Sequence, residues 1–269
     1  VQFHWQNRDA GGEATALPYS DFADFMTQLQ AVKRKKIRQE RQRVTQAGVT
    51  FEVLAGAQIG AEDWDFFYRC YAQTYLEHGN PPYLSRDFFE QLARDLPEHW
   101  VLFIAQRNEQ RIACSLIATS APATPNQDTK DAGLQEKQAH PAIKSENPLR
   151  GATAYGRYWG ALERVDMLHF EACYYQPLQW CIANGLASFE GGAQGEHKIA
   201  RALLPVATAS YHWLAHPAFA DAVERFLERE GEGMADYLQA LHTHSPFRGG
   251  SADDHAGMPA PHATSLPPN

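Results

Sequence analysis

Two consecutive β-rich segments in the middle of the chain constrain the fold most strongly. WVLFIAQ (100–106) and RIACSLIATS (111–120) are separated only by a few residues that include Asn108-Glu109-Gln110, so the sequence predicts a β-hairpin. Further β-rich segments on both sides of the hairpin alternate with segments of helical periodicity. This order predicts an α/β (α+β) fold, in which a mixed central sheet carries helices on both faces.

The flanking segments give the order of the remaining elements. Before the hairpin, the pattern predicts a strand at 1–5, a long helix at 21–46 that Asp21 caps and Gly48 ends, a strand at 49–56, and helices at 62–78 and, after Ser85, to 96. After it, the pattern predicts a strand at 151–162, an extended segment at 168–175, a helix at 176–183, a strand at 186–190, a helical turn at 199–204, a strand at 206–214 and two helices at 217–230 and 233–243.

Changes in composition suggest the domain boundaries. The chain starts at Val1 in sequence typical of the middle of a strand, so we expect residues 1–20 to be the end of a preceding unit. Residues 21–248 then form the main domain. Proline and polar residues dominate 120–150, which predicts a mobile insertion, and the Pro/Gly/His-rich residues 249–269 predict a disordered tail.

Composition excludes several classes of protein. The net charge of -8 and the pI of about 5.8 argue against a dedicated nucleic-acid binder. The four cysteines form no Cys-x-x-Cys pair and have no histidines at zinc spacing, so we expect no metal and reduced thiols, as in a cytoplasmic protein. No apolar run is long enough to span a bilayer. No Walker A, Rossmann or Gly-x-Ser-x-Gly pattern is present.

Three stretches carry a resemblance to a known family. They are RKKIRQERQRV (34–44), GRYWG (156–160) and the long run HFEACYYQPLQWCIANGLASFEGGAQGEHKIARALLP (169–205). Together with the element order, they resemble the bacterial FemAB-like family of peptidoglycan biosynthesis or recognition, within the GNAT acyl-CoA N-acyltransferase superfamily. The resemblance covers roughly residues 20–245. It implies a GNAT-like domain, and in the family two such units commonly occur in tandem.

The resemblance also implies a reaction. It is the transfer of an acyl or aminoacyl group to an amine, with an acyl-CoA or an aminoacyl-tRNA as co-substrate, no permanently bound cofactor, and a peptidoglycan precursor as a candidate acceptor. GNAT proteins usually hold the donor pyrophosphate on a Gly-rich loop before a helix. This chain has no such loop before Gln176-Pro177. That departure favours the alternative, a non-catalytic module that recognises a peptidoglycan-type ligand on the same fold.

The densest polar cluster follows the predicted strand at 186–190. Glycines let a backbone approach a ligand closely, Lys198 adds a positive charge, and Glu190 is a candidate general base. The candidate binding residues in this cluster are Gly191, Gly192, Gly195, His197 and Lys198. The alternative is an ordinary glycine-rich turn with solvated charges.

Two further groups are candidates for the site. His169 and Glu171 alternate in the segment predicted to be extended, so both would lie on one face as a base and its orienting partner, unless they only pair within the core. Arg157, Tyr158 and Trp159, between two glycines, are candidates for a substrate-binding wall. The alternative for these three is a strand whose aromatic side chains fill the core.

A basic segment in the first long helix is the last candidate. Residues 33–43 carry seven cations and one anion, including Lys35 and Arg38 as candidate contacts. Such a face could bind the phosphates of CoA, lipid or tRNA. A solvated helix face is the alternative reading.

Overall fold

The computed structural model describes residues 1–7, 17–123, 147–193 and 195–248. Its seven-stranded sheet has the order β2-β3-β4-β5-β6-β1-β7, in which β5 and β6 are parallel and all other neighbours antiparallel. The strands are β1 (Gln2–Gln6), β2 (Val49–Ala55), β3 (Trp100–Arg107), β4 (Gln110–Thr119), β5 (Thr153–Ala161), β6 (Ser188–Glu190) and β7 (Leu204–Val206). The predicted hairpin is therefore β3–β4, and the predicted mixed sheet is confirmed.

Helices cover both faces of this sheet, as predicted. They are α1 (Phe22–Gln28), α2 (Ala31–Gln46), α3 (Ala61–Glu77), α4 (Arg86–Asp95), α5 (Leu168–Phe170), α6 (Gln176–Asn184) and α7 (Pro217–His242). Side chains of β3 alternate between the faces. Leu102 packs in a buried cluster with Phe67 of α3, whereas its neighbour Phe103 packs in another cluster with Phe25 of α1 and Leu178 of α6.

The helix between residues 21 and 46 is interrupted, which corrects the prediction of one long helix. Asp21 caps α1 as predicted, because its Oδ1 accepts a hydrogen bond of 2.7 Å from the backbone N–H of Asp24. Leu29 then turns to an extended conformation, is fully buried, and forms an isolated β-bridge with Phe247. A tertiary contact thus breaks a segment whose local pattern is helical throughout.

The segment at 168–175 is helical, so the prediction of an extended segment there was wrong. Helix α5, a π-helical turn (Glu171–Tyr175) and α6 follow one another without a break. Residues two apart on a helix point in directions about 160° apart, so His169 and Glu171 do not share a face as predicted. The buried residues Leu168, Ala172 and Tyr175 recur at the helical spacing that should have identified this element.

The C-terminal elements differ from the prediction in two ways. The strand predicted at 206–214 was wrong except at Val206, where β7 ends, and Tyr211 and Trp213 are exposed. The two helices predicted between 217 and 243 are one helix, α7, because Gly231 and Gly233 lie within it without breaking it. Glycine weakens a helix but does not forbid it.

The first strand lies inside the sheet. β1 pairs with β6 on one side and β7 on the other, and Trp5 is fully buried in the core. The strand that we expected to end a preceding unit therefore contributes to this sheet and its core. Most of the predicted insertion (120–150) and the whole predicted tail (249–269) lie outside the described residues.

Candidate active site

The sheet opens between β5 and β6. Their parallel pairing covers only Thr153–Tyr155 opposite Ser188–Glu190, after which β6 ends while β5 continues to Ala161. Beyond Tyr155, β5 is paired only with β4. The second half of β5 therefore borders a gap in the sheet, which is a position where a ligand can meet unpaired backbone.

A β-bulge marks the same place on β5. Leu116 of β4 lies opposite Tyr158, and the next residue, Ile117, lies opposite Gly156, so Arg157 is the extra residue. Bulges of this kind redirect a side chain and occur often beside active sites. The Arg157 guanidinium is exposed, lies 5.2 Å from the centroid of the Tyr155 ring, and forms no ion pair within the described residues.

A cavity of about 150 Å³ fills this gap. It lies between β4, β5, the end of β6 and the helical segment that begins with α5. Its lining residues are Ser115, Leu116, Ile117, Gly156, Arg157, Tyr158, Trp159, His169, Cys173, Tyr174, Phe189 and Gly191. The structure thus brings together His169, Gly191 and all three residues of the predicted binding wall. Tyr158 divides its contacts between the cavity and the core, since its ring also packs on Phe67, Tyr71 and Phe89.

Three side chains with acid–base capacity meet at one end of the cavity. The Tyr174 hydroxyl lies 3.1 Å from His197 Nε2, a hydrogen bond whose donor depends on the tautomer of the histidine. The His169 ring lies 5.7 Å from that of Tyr174 and 6.3 Å from that of His197, centroid to centroid. On its other side, the His169 ring meets Trp159 edge to face at 5.4 Å.

Both histidines favour their neutral forms. Burial, and then the positive charges of His197, Arg201 and Lys198, lower the pKa of His169 to about 4. Burial is also the main cause that lowers the pKa of His197, with smaller contributions from Arg201 and Lys198. At neutral pH both imidazoles are therefore uncharged, and a ring nitrogen of His169 can accept a proton, which is a requirement of a general base.

The low pKa of His169 predicts an acid-sensitive contribution to stability. The unfolded chain binds a proton near pH 6.5, whereas the folded chain resists protonation of His169 until about pH 4. The unfolded state therefore binds more protons between these values, and lowering the pH from 6.5 to 4 should cost about 2–3 kcal/mol of unfolding free energy through this residue. Urea titrations across this range should show that the H169Q variant loses less stability than the wild type. Parallel pH profiles would contradict the assignment.

The two predicted acidic bases lie outside the cavity. Glu171 is buried and forms a bidentate ion pair with Arg41, with N···O distances of 3.0–3.2 Å. It accepts a further hydrogen bond of 2.7 Å from the side chain of Gln176. Glu190 is partly exposed, and its Oε2 lies 3.9 Å from His4 Nε2. Of the three predicted bases, only His169 lines the cavity.

The glycine-rich turn after β6 forms the rim of the site. Gly191 lines the cavity, and positive φ angles at Gly192 and Gly195 shape the turn. Lys198 is only 6% exposed, its Nζ donates to the carbonyl of Gly192 at 3.3 Å, and burial lowers its pKa. No carboxylate pairs with this ammonium in the part of the chain that the structure describes.

The two candidate residues of the basic helix lie elsewhere. Lys35 and Arg38 are exposed on α2, and neither lines the cavity. Arg38 instead lines a separate groove between α1, α2 and α6. The cations of α2 therefore belong to another surface.

Of the lining residues that sequence reasoning missed, three carry a hydroxyl or thiol group: Ser115, Cys173 and Tyr174. Ser115 is buried on β4 and donates a hydrogen bond to the carbonyl of Ala172, in the π-helical turn. Cys173 and Tyr174 lie in the same turn. A π-helical turn displaces side chains from their α-helical positions and is frequent at functional sites. Because no local pattern specifies a π-helical turn, the positions of Cys173 and Tyr174 could be found only from the structure.

The fold and the cavity define a mixed α/β protein with a small cavity, lined partly by titratable side chains, at an opening of its sheet. The FemAB-like family model, described as peptidoglycan biosynthesis/recognition, matches residues 1–123 and 135–249, and the chain belongs to this family. In the described ranges, no group of three or more His, Cys, Asp or Glu side chains could hold a metal ion, and no helix is long and apolar enough to cross a membrane.

Individual proteins are less informative about this chain than the family model. No curated protein matches the chain. Among solved structures, the chain is similar to the C-terminal domain (DUF2156) of a putative lysylphosphatidylglycerol synthetase from Agrobacterium fabrum, at 12% identity and a TM-score of 0.37. The similarity covers 62% of this chain and 44% of that one, so the chain spans less than half the length of this relative.

Proposed function

We propose that the protein is an N-acyltransferase that moves an acyl or aminoacyl group onto an amine of a peptidoglycan precursor. The observation that carries the proposal is the cavity at the opening between β5 and β6, where the bulged Arg157 and the neutral His169 meet. Membership of a family of peptidoglycan biosynthesis or recognition supports the class of acceptor. We expect this opening to bind the acyl or aminoacyl donor, as a GNAT-type donor site.

The reaction needs few protein groups. The amine nitrogen attacks the donor carbonyl, a C–N bond forms, and the C–O bond of an aminoacyl-tRNA ester or the C–S bond of an acyl-CoA breaks. The attacking amine gives up a proton and the leaving group takes one. In the proposal, His169 accepts the proton of the amine and, once protonated, gives it to the leaving group, while the Tyr174–His197 pair lies beside it and orients the reactants. Alignment of the donor and the amine in the cavity contributes the rest of the rate enhancement.

Positive charge in and near the cavity supports binding of anionic reactants. Arg157 at the bulge and Lys198 behind Gly191 are both without carboxylate partners among the described residues. Guanidinium and ammonium groups suit phosphates and carboxylates, which both proposed reactants carry. Both donors, CoA and tRNA, are cytoplasmic, so the proposal places the reaction in the cytoplasm.

A transfer assay tests the proposal. Purified protein is incubated with a UDP-linked muramyl pentapeptide and either acetyl-CoA or a mixture of aminoacyl-tRNAs, and the mass of the peptide is followed. We expect an acylated product, and a rate about 10²–10⁴-fold lower in the H169Q variant, the usual range for loss of a general base. The H212Q variant, which changes an exposed histidine outside the cavity, is the matched control and should keep the wild-type rate.

A non-catalytic recognition module is the second candidate. The absence of a glycine-rich phosphate loop before α6 favours it, because a protein that only recognises a ligand needs no site for the phosphates of a donor. A ligand that binds the folded state raises the melting temperature by mass action. A rise with the muramyl pentapeptide that is lost in the R157Q variant, together with no transfer from any donor, would replace the transferase proposal by recognition.

A further inference from the structure

A groove of about 560 Å³ lies between three helices and is separate from the cavity. Helices α1, α2 and α6 form its walls. Most of its floor is apolar, and its charged groups stand on the rim. Its lining residues are Ser20, Asp21, Phe22, Ala23, Met26, Ile37, Arg38, Arg41, Gln179, Ile182 and Ala183, none of which lines the cavity.

Arginines without carboxylate partners extend from this rim. Arg38 lies one helical turn from Arg34 on α2, and the charges of Arg248 and Arg38, after desolvation, lower the pKa of Arg34. Arg34 Nη1 and Arg248 Nε both donate to the backbone carbonyl of Leu29, so they converge on one point. Within the described ranges, none of the three forms an ion pair.

Two other charged residues line the groove, Arg41 and Asp21. Arg41 pairs with Glu171, whereas Asp21 accepts the N-terminal hydrogen bond of α1 from Asp24 and has no cation partner among the described residues. The three unpaired arginines, Arg34, Arg38 and Arg248, outnumber this one carboxylate, so the surplus charge of the surface is positive. Like charges held this close raise the energy of the free protein, and a bound anion relieves that repulsion.

We propose that this groove binds one molecule of an anionic phospholipid. The phosphate lies at Arg38, with Arg34 and Arg248 beside it, and an acyl chain lies along the apolar floor formed by Met26, Ile37 and Ile182. Guanidinium groups bind phosphate with directed, charge-assisted hydrogen bonds. An inorganic phosphate or an RNA backbone would meet the same cations but would leave the apolar floor exposed to water.

The proposal is independent of the proposed transferase reaction. The groove and the cavity share no lining residue, so either site can be disproved without the other. A lipid in the groove would hold the protein at a membrane surface, which is a role distinct from chemistry in the cavity.

Calorimetric titration with short-chain lipids below their micelle concentrations tests the groove. The probes are dihexanoyl phosphatidic acid, dihexanoyl phosphatidylcholine and inorganic phosphate. We expect saturable one-to-one binding of the phosphatidic acid, and binding at least about tenfold weaker for the other two probes. The R38Q variant should lose about tenfold or more in affinity, since it removes charged hydrogen bonds to the phosphate. The A183W variant, which fills the exposed side of the groove, should lose a similar factor.

The control is the K36Q variant, which removes an exposed cation of the same helix that does not line the groove. It should bind phosphatidic acid within about twofold of the wild type. Equal losses in K36Q and R38Q would overturn the proposal in favour of general attraction to a basic surface. Equal affinity for phosphate and phosphatidic acid, or wild-type affinity in A183W, would overturn the role of the apolar floor. Circular dichroism of each variant verifies that it is folded.

Discussion

Replacing Arg201 by methionine should lower the free energy of unfolding by about 3–5 kcal/mol, the usual cost of removing one partner of a buried ion pair. Arg201 is 2% exposed, and its Nη2 donates to Glu40 Oε2 at 2.7 Å. Glu40 is also buried and accepts a second hydrogen bond, from the hydroxyl of Tyr175. The R201M variant would leave this carboxylate in the core without its cation, and urea denaturation measures the loss.

Arg201 also connects three elements around the cavity. Its Nη1 donates to the carbonyl of His197 at 2.7 Å, and its guanidinium lies 3.5 Å from the centroid of the Phe170 ring. Its loss should therefore disturb the position of His197 beside Tyr174 as well as the stability of the fold.

Two control variants test whether the loss of stability in R201M comes from the buried ion pair or would follow the loss of any arginine. The R86M variant removes one partner of an exposed ion pair, with Asp65, and should cost no more than about 1 kcal/mol. The double variant E40L/R201M removes both charges and should recover most of the stability. The remaining cost, about 1–3 kcal/mol, is that of the Tyr175 hydroxyl without its acceptor. If R201M and R86M lowered the free energy of unfolding by equally small amounts, the buried pair would not contribute to stability as we expect.

The second large effect is expected from the substitution of Gly160 by alanine. An added Cβ would lie 2.0 Å from the backbone oxygen of Cys70 and 2.3 Å from its carbonyl carbon, so helix α3 would have to move away from β5. Overpacking of this kind costs about 1–3 kcal/mol and occasionally more. Because the obstacle is the buried backbone of helix α3, not a flexible side chain, we expect a loss of about 3 kcal/mol, measured by thermal and urea unfolding of G160A.

The G231A variant is the matched control. A Cβ at this position of α7 meets nothing within 4 Å, and alanine favours a helix over glycine. This variant should be more stable than the wild type by about 0.4–1 kcal/mol. A G160A protein as stable as the wild type would show that α3 and β5 are not in this close contact.

Much of the fold follows from local pattern. Asp21 and Ser85 begin helices where the sequence predicts, because a side chain that accepts a backbone N–H at a helix start acts within three residues. The β3–β4 hairpin follows in the same way from two apolar runs and a short turn, where Asn108 and Glu109 adopt positive φ. Signals of this kind need no knowledge of distant residues.

The site was predicted less completely. Arg157, Trp159, His169 and Gly191 line the cavity together, although His169 was assigned to a strand. Glu171 is equally polar in sequence, but in the structure Arg41 neutralises it. No local pattern distinguishes a carboxylate that faces a cavity from one that faces an arginine 130 residues away.

The sequence by itself determined the class of fold, the hairpin, the helix caps and membership of the FemAB-like family, since these depend on periodicity and on short motifs. The tertiary structure alone decided the break at Leu29, the π-helical turn at Glu171–Tyr175, the opening between β5 and β6 and the partners of Glu40 and Glu171. Each of the latter depends on contacts between residues far apart in the chain, whose packing and electrostatic energies outweigh local preference.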